Sequence, residues 1–148
     1  MTSPDTTLFL KRTFAVPRAK VFEAWTTPEV LQQWFAAGDE YNGSIAEVDL
    51  RVGGAYRIGM KHIAKDVEHV AYGTYREIVP NERLVFSWSW EEDQTKEETL
   101  VTIELHDTDG GTEMHFKHEL FSTTKLRDEH GRGWELCFER MVKALAIA

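Results

Sequence analysis

The sequence is short of cysteine, of basic charge and of long apolar runs, and each shortage excludes a class of protein. A single cysteine, Cys137, excludes an internal disulfide and fits a reducing cytoplasm. The net charge of −8 disfavours binding to nucleic acid or to an anionic membrane. No run approaches the roughly 20 apolar residues of a membrane-spanning helix. The start, MTSPDTT, lacks the basic and apolar regions of a secretory signal. We therefore expect a cytoplasmic protein without nucleic-acid or membrane partners.

The sequence also lacks the local motifs of common catalytic and cofactor sites. It has no Gly-x-Ser-x-Gly elbow, Walker loop, dinucleotide fingerprint or zinc-type spacing. His115 and His118 are three apart in one predicted strand, so they point to opposite faces and cannot chelate one ion together. Cys137 lies on or beside an apolar stripe, which is typical of a buried thiol. We expect no catalytic residue, no metal and no cofactor.

What the sequence does contain is enough apolar residues for one sizeable core. Its 148 residues are 42% hydrophobic and 11% aromatic. A chain of this length buries about 70% of the surface that its unfolded form exposes. We expect a single domain over residues 1–148, with residues 1–5 as a loose N-terminus.

Hydrophobic periodicity predicts an α+β fold. Residues 7–14 are typical of a strand, and Pro17 and Pro28 each begin a short helix as its first residue. Period-two alternation then predicts strands over 43–50, 55–62, 68–79, 83–90, 99–106 and 112–120, with Gly53 and Gly54 in a hairpin turn. From about residue 124 the period changes to that of a helix of about 24 residues. The simplest arrangement is a curved antiparallel sheet of about six or seven strands covered by the long C-terminal helix.

The C-terminal helix contains two glycines beside its apolar stripe. The segment HGRGWELCFERMVKAL puts Trp134, Phe138 and Met141 on one face, and Gly131 and Gly133 precede them. A glycine inside a helix costs about 0.5–1 kcal/mol relative to alanine. Either the glycines leave room at the entrance of a cavity, or they allow close packing of the helix against a strand.

Several motifs carry a resemblance to a known family. Residues 12–35 (RTFAVPRAKVFEAWTTPEVLQQWF), 49–57 (DLRVGGAYR), 72–90 (YGTYREIVPNERLVFSWSW) and 133–141 (GWELCFERM) occur in order. The sequence thereby resembles the activator of heat-shock protein 90 ATPase homologue-like family, of the START-like (SRPBCC) superfamily. The resemblance implies the helix-grip fold of the birch-pollen allergen, with an apolar cavity between the long helix and the sheet that takes hydrophobic ligands.

Inward-facing positions on the predicted elements give the candidate ligand-binding residues. Large apolar side chains form the lining, and two histidines supply polar groups at its rim; His130 could share the same interior. The set is Trp34, Phe35, Tyr56, Ile58, Met60, His62, Phe86, Trp88, Met114, Phe116, His118, Trp134, Phe138 and Met141.

Three functions remain open on the sequence. The first is non-enzymatic binding of a hydrophobic or aromatic small molecule in the cavity. The second, which the family resemblance implies, is regulation of a chaperone ATPase through the protein surface. The third is a cyclase- or hydrolase-like enzyme, or a self-sacrificing resistance protein, which would need His62 or His118 paired with an acid or a tyrosine. The chain would act as a monomer or a homodimer.

Overall fold

The computed structural model describes residues 6–146, so the predicted loose N-terminus at 1–5 lies outside the described residues. The elements, in chain order, are β1 (Leu8–Phe14), α1 (Arg18–Thr26), α2 (Pro28–Trp34), β2 (Tyr41–Val48), β3 (Ala55–His62), β4 (Glu68–Val79), β5 (Arg83–Trp90), β6 (Thr99–Thr108), β7 (Gly111–Glu119) and α3 (Thr124–Ala146). None of the helices within 6–146 has both the length and the apolar character needed to cross a membrane.

The seven strands form one antiparallel sheet in the order β1-β7-β6-β5-β4-β3-β2. Strands β2 to β7 follow one another as hairpins, and β1 pairs with β7 at the far edge, where Leu10 lies opposite Phe116. The two short helices follow β1, and α3 lies over the concave face. This arrangement confirms the predicted helix-grip fold, with seven strands.

The sheet is bent by irregularities in two of its strand pairs. The register of β2 against β3 shifts between Gly43 and Ala46, and that of β4 against β5 shifts between Tyr75 and Glu77. Such bulges bend a strand and increase its twist. Gly53 has a φ of +86° in the β2–β3 turn, which is the conformation that glycine accepts without strain. The predicted turn is therefore confirmed.

Most predicted boundaries agree with the structure to within two residues. Strands β4 and β5 have the predicted bounds, and β2 begins at Tyr41 rather than at residue 43. Pro17 is the N-cap of α1 rather than its first helical residue, and its carbonyl oxygen accepts from the backbone N–H of Lys20 at 2.9 Å. Because the cap residue keeps an extended backbone, α1 begins one residue later than predicted.

Aromatic side chains fill the middle of the interior beneath α3. Trp25 of α1 is 3% exposed and lies between the helices and the sheet. Its ring centroid is 4.7 Å from that of Trp34 and 6.1 Å from those of Phe116 and Phe138. Its indole Nε1 donates to Met114 Sδ at 3.3 Å, so the buried N–H has a partner. The centre is therefore packed, and the open space lies nearer one end of α3.

Candidate ligand-binding site

A pocket of about 240 Å³ lies between the N-terminal half of α3 and the sheet. Its walls come from β3, β5, α3 and the loop that follows α2, and most of the side chains are apolar. The lining residues are Phe35, Ala37, Met60, Trp88, Trp90, Glu129, His130, Gly133, Trp134 and Cys137.

Three aromatic rings form the inner wall of this pocket. The centroids of Trp88 and Trp134 are 5.0 Å apart, and Phe35 lies 5.9 Å from Trp88 and 6.0 Å from Trp134. The three rings come from β5, α3 and the end of α2, and each is at most 3% exposed. Because the rings pack against one another, the wall is rigid and apolar.

One polar group in this wall has no partner. The Nε1 of Trp88 is buried and makes no hydrogen bond within residues 6–146. A buried donor without an acceptor costs about 1–3 kcal/mol. An acceptor that reached this buried atom would remove that cost.

His118 is fully buried behind the same wall. The Nε1 of Trp134 donates to His118 Nδ1 at 3.1 Å, which leaves the ring proton on Nε2. His118 Nε2 then donates to Thr99 Oγ1 at 2.7 Å. Burial holds the pKa of His118 well below its ordinary value, and a charge on the nearby His130 would lower it further. His118 is a neutral structural group, and both of its ring nitrogens have hydrogen-bond partners.

His130 has the opposite tautomer and lines the pocket. Its Nε2 accepts from Trp90 Nε1 at 2.9 Å, and its Nδ1 donates to the carbonyl oxygen of Leu126 at 2.9 Å. Burial lowers the pKa of His130, although the bond to Leu126 and the charges of Glu129 and Glu97 act in the opposite direction. At neutral pH the ring is uncharged, and it fixes the position of Trp90 at the pocket.

His62 lies at the end of β3 and is not among the residues that line the pocket. Its Nε2 is 3.3 Å from Glu40 Oε2, and its Nδ1 accepts from the backbone N–H of Lys65 at 3.0 Å. The carboxylate of Glu40 is exposed. The pair of His62 and Glu40 therefore lies away from the aromatic wall, outside the cavity in which a catalytic acid–base pair would be needed.

The structure divides the fourteen predicted residues between the pocket and the core. Four of them, Phe35, Met60, Trp88 and Trp134, line the pocket. His62 and His118 have the places given above. The other eight belong to the core outside the pocket lining: Trp34, Tyr56, Ile58, Phe86, Met114, Phe116, Phe138 and Met141.

The two glycines of α3 have different surroundings. A Cβ at Gly131 would lie 3.1 Å from Leu8 Cδ1, so this glycine allows α3 to pack closely on β1. A Cβ at Gly133 would lie 4.0 Å from the Cβ of Ala37, and Gly133 lines the pocket. Each of the two sequence-based explanations therefore fits one of the glycines.

Sequence reasoning left six lining residues out of the candidate set. Trp90 has the same strand parity as Trp88, and His130, Gly133 and Cys137 recur at helical spacing, so periodicity could have identified these four. Burial raises the pKa of the Cys137 thiol to about 12, which keeps it protonated. Glu129 is an exposed helix residue and Ala37 lies in a loop, and no sequence pattern marks either of them.

Solved structures with the same fold cover almost the whole chain. A protein from Rhodobacter sphaeroides is 26% identical, with a TM-score of 0.83, over 100% of this chain and 98% of its own. A protein from Chromobacterium violaceum is 24% identical, with a TM-score of 0.87, over 95% of this chain and 96% of its own. A Silicibacter pomeroyi protein described as AHSA1 is 20% identical, with a TM-score of 0.83, over 95% of this chain and 98% of its own. The last two similarities show the fold alone.

The sequence itself identifies the family. No curated protein matches the chain. The family model described as "Activator of Hsp90 ATPase homolog 1-like protein" matches residues 15–146. Because that match covers nearly the whole chain, the resemblance seen in the sequence motifs is confirmed, and the chain belongs to the activator of Hsp90 ATPase homolog 1-like family.

Proposed function

We propose that this chain binds a small aromatic or hydrophobic molecule in the pocket beneath α3, without catalysis. The observation that carries the proposal is the rigid aromatic wall with one unpartnered buried N–H, on Trp88. Apolar surface with a few placed polar groups is typical of small-molecule sites.

The size of the pocket limits the ligand. An apolar cavity of about 150 Å³ holds benzene. A pocket of about 240 Å³ has room for one or two fused rings, and a longer substituent would reach solvent through the mouth. Burial of such a ligand would be driven by its apolar area, at about 25 cal/mol per Å².

The polar groups of the pocket limit the ligand further. The Trp88 N–H would pair with an acceptor such as a carbonyl or ether oxygen. Glu129 is an exposed residue at the pocket, and its negative charge disfavours an anionic ligand. The preferred ligand class is therefore a neutral aromatic molecule with one hydrogen-bond acceptor.

Two probes of similar shape test this proposal. Acetophenone has a carbonyl oxygen where cumene has a methyl group, so the pair isolates the hydrogen bond to Trp88. We expect both probes to shift the NMR signals of the pocket tryptophans, with acetophenone binding several-fold more tightly. Equal affinities would contradict the role of Trp88, and failure of both probes to bind would overturn the proposal.

A substitution on α3 locates the binding. Gly133→Leu fills the pocket and should abolish binding of both probes. Glu135→Leu puts the same side chain on an exposed position of the same helix and should leave binding unchanged. Equal binding by the wild type and the Gly133→Leu variant would show that the probes bind elsewhere.

The family match favours a second candidate, regulation of a chaperone ATPase through the protein surface. The Gly133→Leu variant separates the two candidates because it alters the pocket and leaves the outer surface intact. A chaperone ATPase that responds equally to the wild type and to this variant would support the second candidate.

A further inference from the structure

We propose that the outer face of the β6–β7 hairpin binds a divalent transition-metal cation such as Zn²⁺ through Glu104, His106 and His115. This inference is independent of the proposed pocket function, because the inward-facing residues of the same strands separate the two sites.

The register of the hairpin brings four ionisable side chains to one surface. Glu104 of β6 lies opposite His115 of β7, and His106 lies opposite Glu113. Directly opposed residues in an antiparallel pair have Cβ atoms about 4.5–5.5 Å apart. The alternate residue between them on β6, Leu105, is 3% exposed and points into the core. The four side chains therefore meet on the solvent-facing side of the sheet.

Three of these residues have the spacing that a metal site needs. One ligand atom from each of Glu104, His106 and His115 lies within 4.8 Å of the other two. The two imidazole centroids are 4.5 Å apart. Ligand atoms about 2.0–2.1 Å from a tetrahedral Zn²⁺ are about 3.4 Å from one another. Small rotations of the side chains would bring the ligand atoms from within 4.8 Å to this spacing, and His106 is exposed and therefore free to rotate.

Hydrogen bonds around the cluster orient two of the proposed ligands. His115 Nε2 lies 2.6 Å from Glu113 Oε1, so the ring can donate to that carboxylate and keep Nδ1 for a cation. A histidine that donates its other N–H to a carboxylate is the usual arrangement at protein metal sites. Arg83 Nη1 donates to Glu104 Oε2, which fixes that carboxylate and leaves it a second oxygen.

The donor set indicates which cations fit. Two imidazoles and one carboxylate suit Zn²⁺, Cu²⁺ or Ni²⁺, whereas Mg²⁺ and Ca²⁺ prefer sites made of oxygen alone. Arg83 at Glu104 and Lys11, 3.9 Å from Glu113, compete for the carboxylates. The imidazoles must then supply most of the affinity, which makes the site selective for transition metals.

The sequence-based expectation of no metal site depended on spacing within one strand. His115 and His118 do point to opposite faces: His118 is fully buried and His115 is half-exposed. The partner of His115 is His106, nine positions earlier on the neighbouring strand. Only the strand register brings these two rings together.

Calorimetric titration of the full chain with Zn²⁺ tests the proposal. We expect one Zn²⁺ per chain, a rise in the thermal midpoint with Zn²⁺ by mass action, and no response to Mg²⁺. His106→Gln and His115→Gln should each weaken Zn²⁺ binding at least about tenfold. His69→Gln is the matched control because His69 is bonded to a single carboxylate, Glu92, at 2.7 Å.

Three results would overturn the proposal: no heat of Zn²⁺ binding by the wild type, wild-type affinity in the His106→Gln/His115→Gln double variant, or equal binding of Mg²⁺. The substituted side chains are at least partly exposed, so the variants should fold, and circular dichroism checks this.

Discussion

At the scale of single residues, Trp25 lies at the centre of the aromatic core. Its ring contacts aromatic side chains from α2, β5, β7 and α3. We expect Trp25→Ala to lower the free energy of unfolding by about 3–5 kcal/mol, because it leaves a cavity in a packed core. Urea denaturation measures this loss, and benzene should restore part of it by filling the space. Phe9→Ala, at a position that is 70% exposed, is the control and should cost less than about 0.5 kcal/mol. Equal costs for the two variants would contradict the central role of Trp25.

The same residue shows where prediction from sequence ends. Helical spacing places Trp25 on the buried face of α1, and strand parity places Phe116 and Trp88 on the concave face of the sheet. Parity cannot tell which inward residues meet α1 and which are left facing open space, because that depends on where α1 lies on the sheet. The sequence therefore predicted which side chains point inward, but it did not predict which of them line the pocket and which pack in the core.

At the scale of elements, the two glycines of α3 form a matched pair. Replacing either glycine by alanine should stabilise the helix by about 0.5–1 kcal/mol, because alanine has the higher helix propensity. At Gly133 a Cβ meets nothing closer than 4.0 Å, so Gly133→Ala should raise the free energy of unfolding by about that amount. At Gly131 a Cβ would lie 3.1 Å from Leu8, and the displacement of Leu8 should cancel part or all of the gain. Thermal or urea denaturation of both variants measures the difference. A greater gain at Gly131 than at Gly133 would contradict the close packing of α3 on β1.

The elements themselves were predictable because local signals agree with the tertiary structure. Pro80 and Asn81 separate β4 from β5, and Asn81 has a φ of +65°, a conformation that asparagine tolerates better than most residues. By contrast, the predicted start of β2 was two residues late, although Gly38, with a φ of +100°, accepts from the backbone N–H of Tyr41 at 3.1 Å in a turn just before the strand. The order of strands β2 to β7 was predictable, because strands that follow one another in the sequence pair as hairpins. The proximity of His106 on β6 to His115 on β7 depends on the exact register of the two strands, which alternation alone does not give.

At the scale of the whole molecule, two buried neutral histidines link stability to pH. The folded-state pKa values of His118 and His130 are lowered by burial, and in the unfolded chain a histidine titrates near pH 6.5. As pH falls below that value, the unfolded state takes up protons that the folded state does not, so stability falls. Carboxylates such as Glu91 and Glu139, whose pKa values are lowered by Arg57 and Arg12, lose their contribution only below about pH 5. The change in the free energy of unfolding between about pH 6.5 and 5 therefore reports the lowered pKa values of the two histidines.

We expect the free energy of unfolding to be nearly flat between about pH 7.5 and 8 and to fall by up to about 1.4 kcal/mol per pH unit for each of the two histidines between about pH 6.5 and 5. Urea denaturation at a series of pH values measures this slope. His130→Gln removes one of the two titrating groups while its amide can still accept from Trp90, so the slope should become less steep. A Lys125→Gln variant, which removes an exposed charge from the same helix, should keep the full slope. If the wild-type slope in this interval is zero or reversed, the folded protein accepts a proton at these rings, and the hydrogen bonds from Trp134 and Trp90 do not hold them neutral.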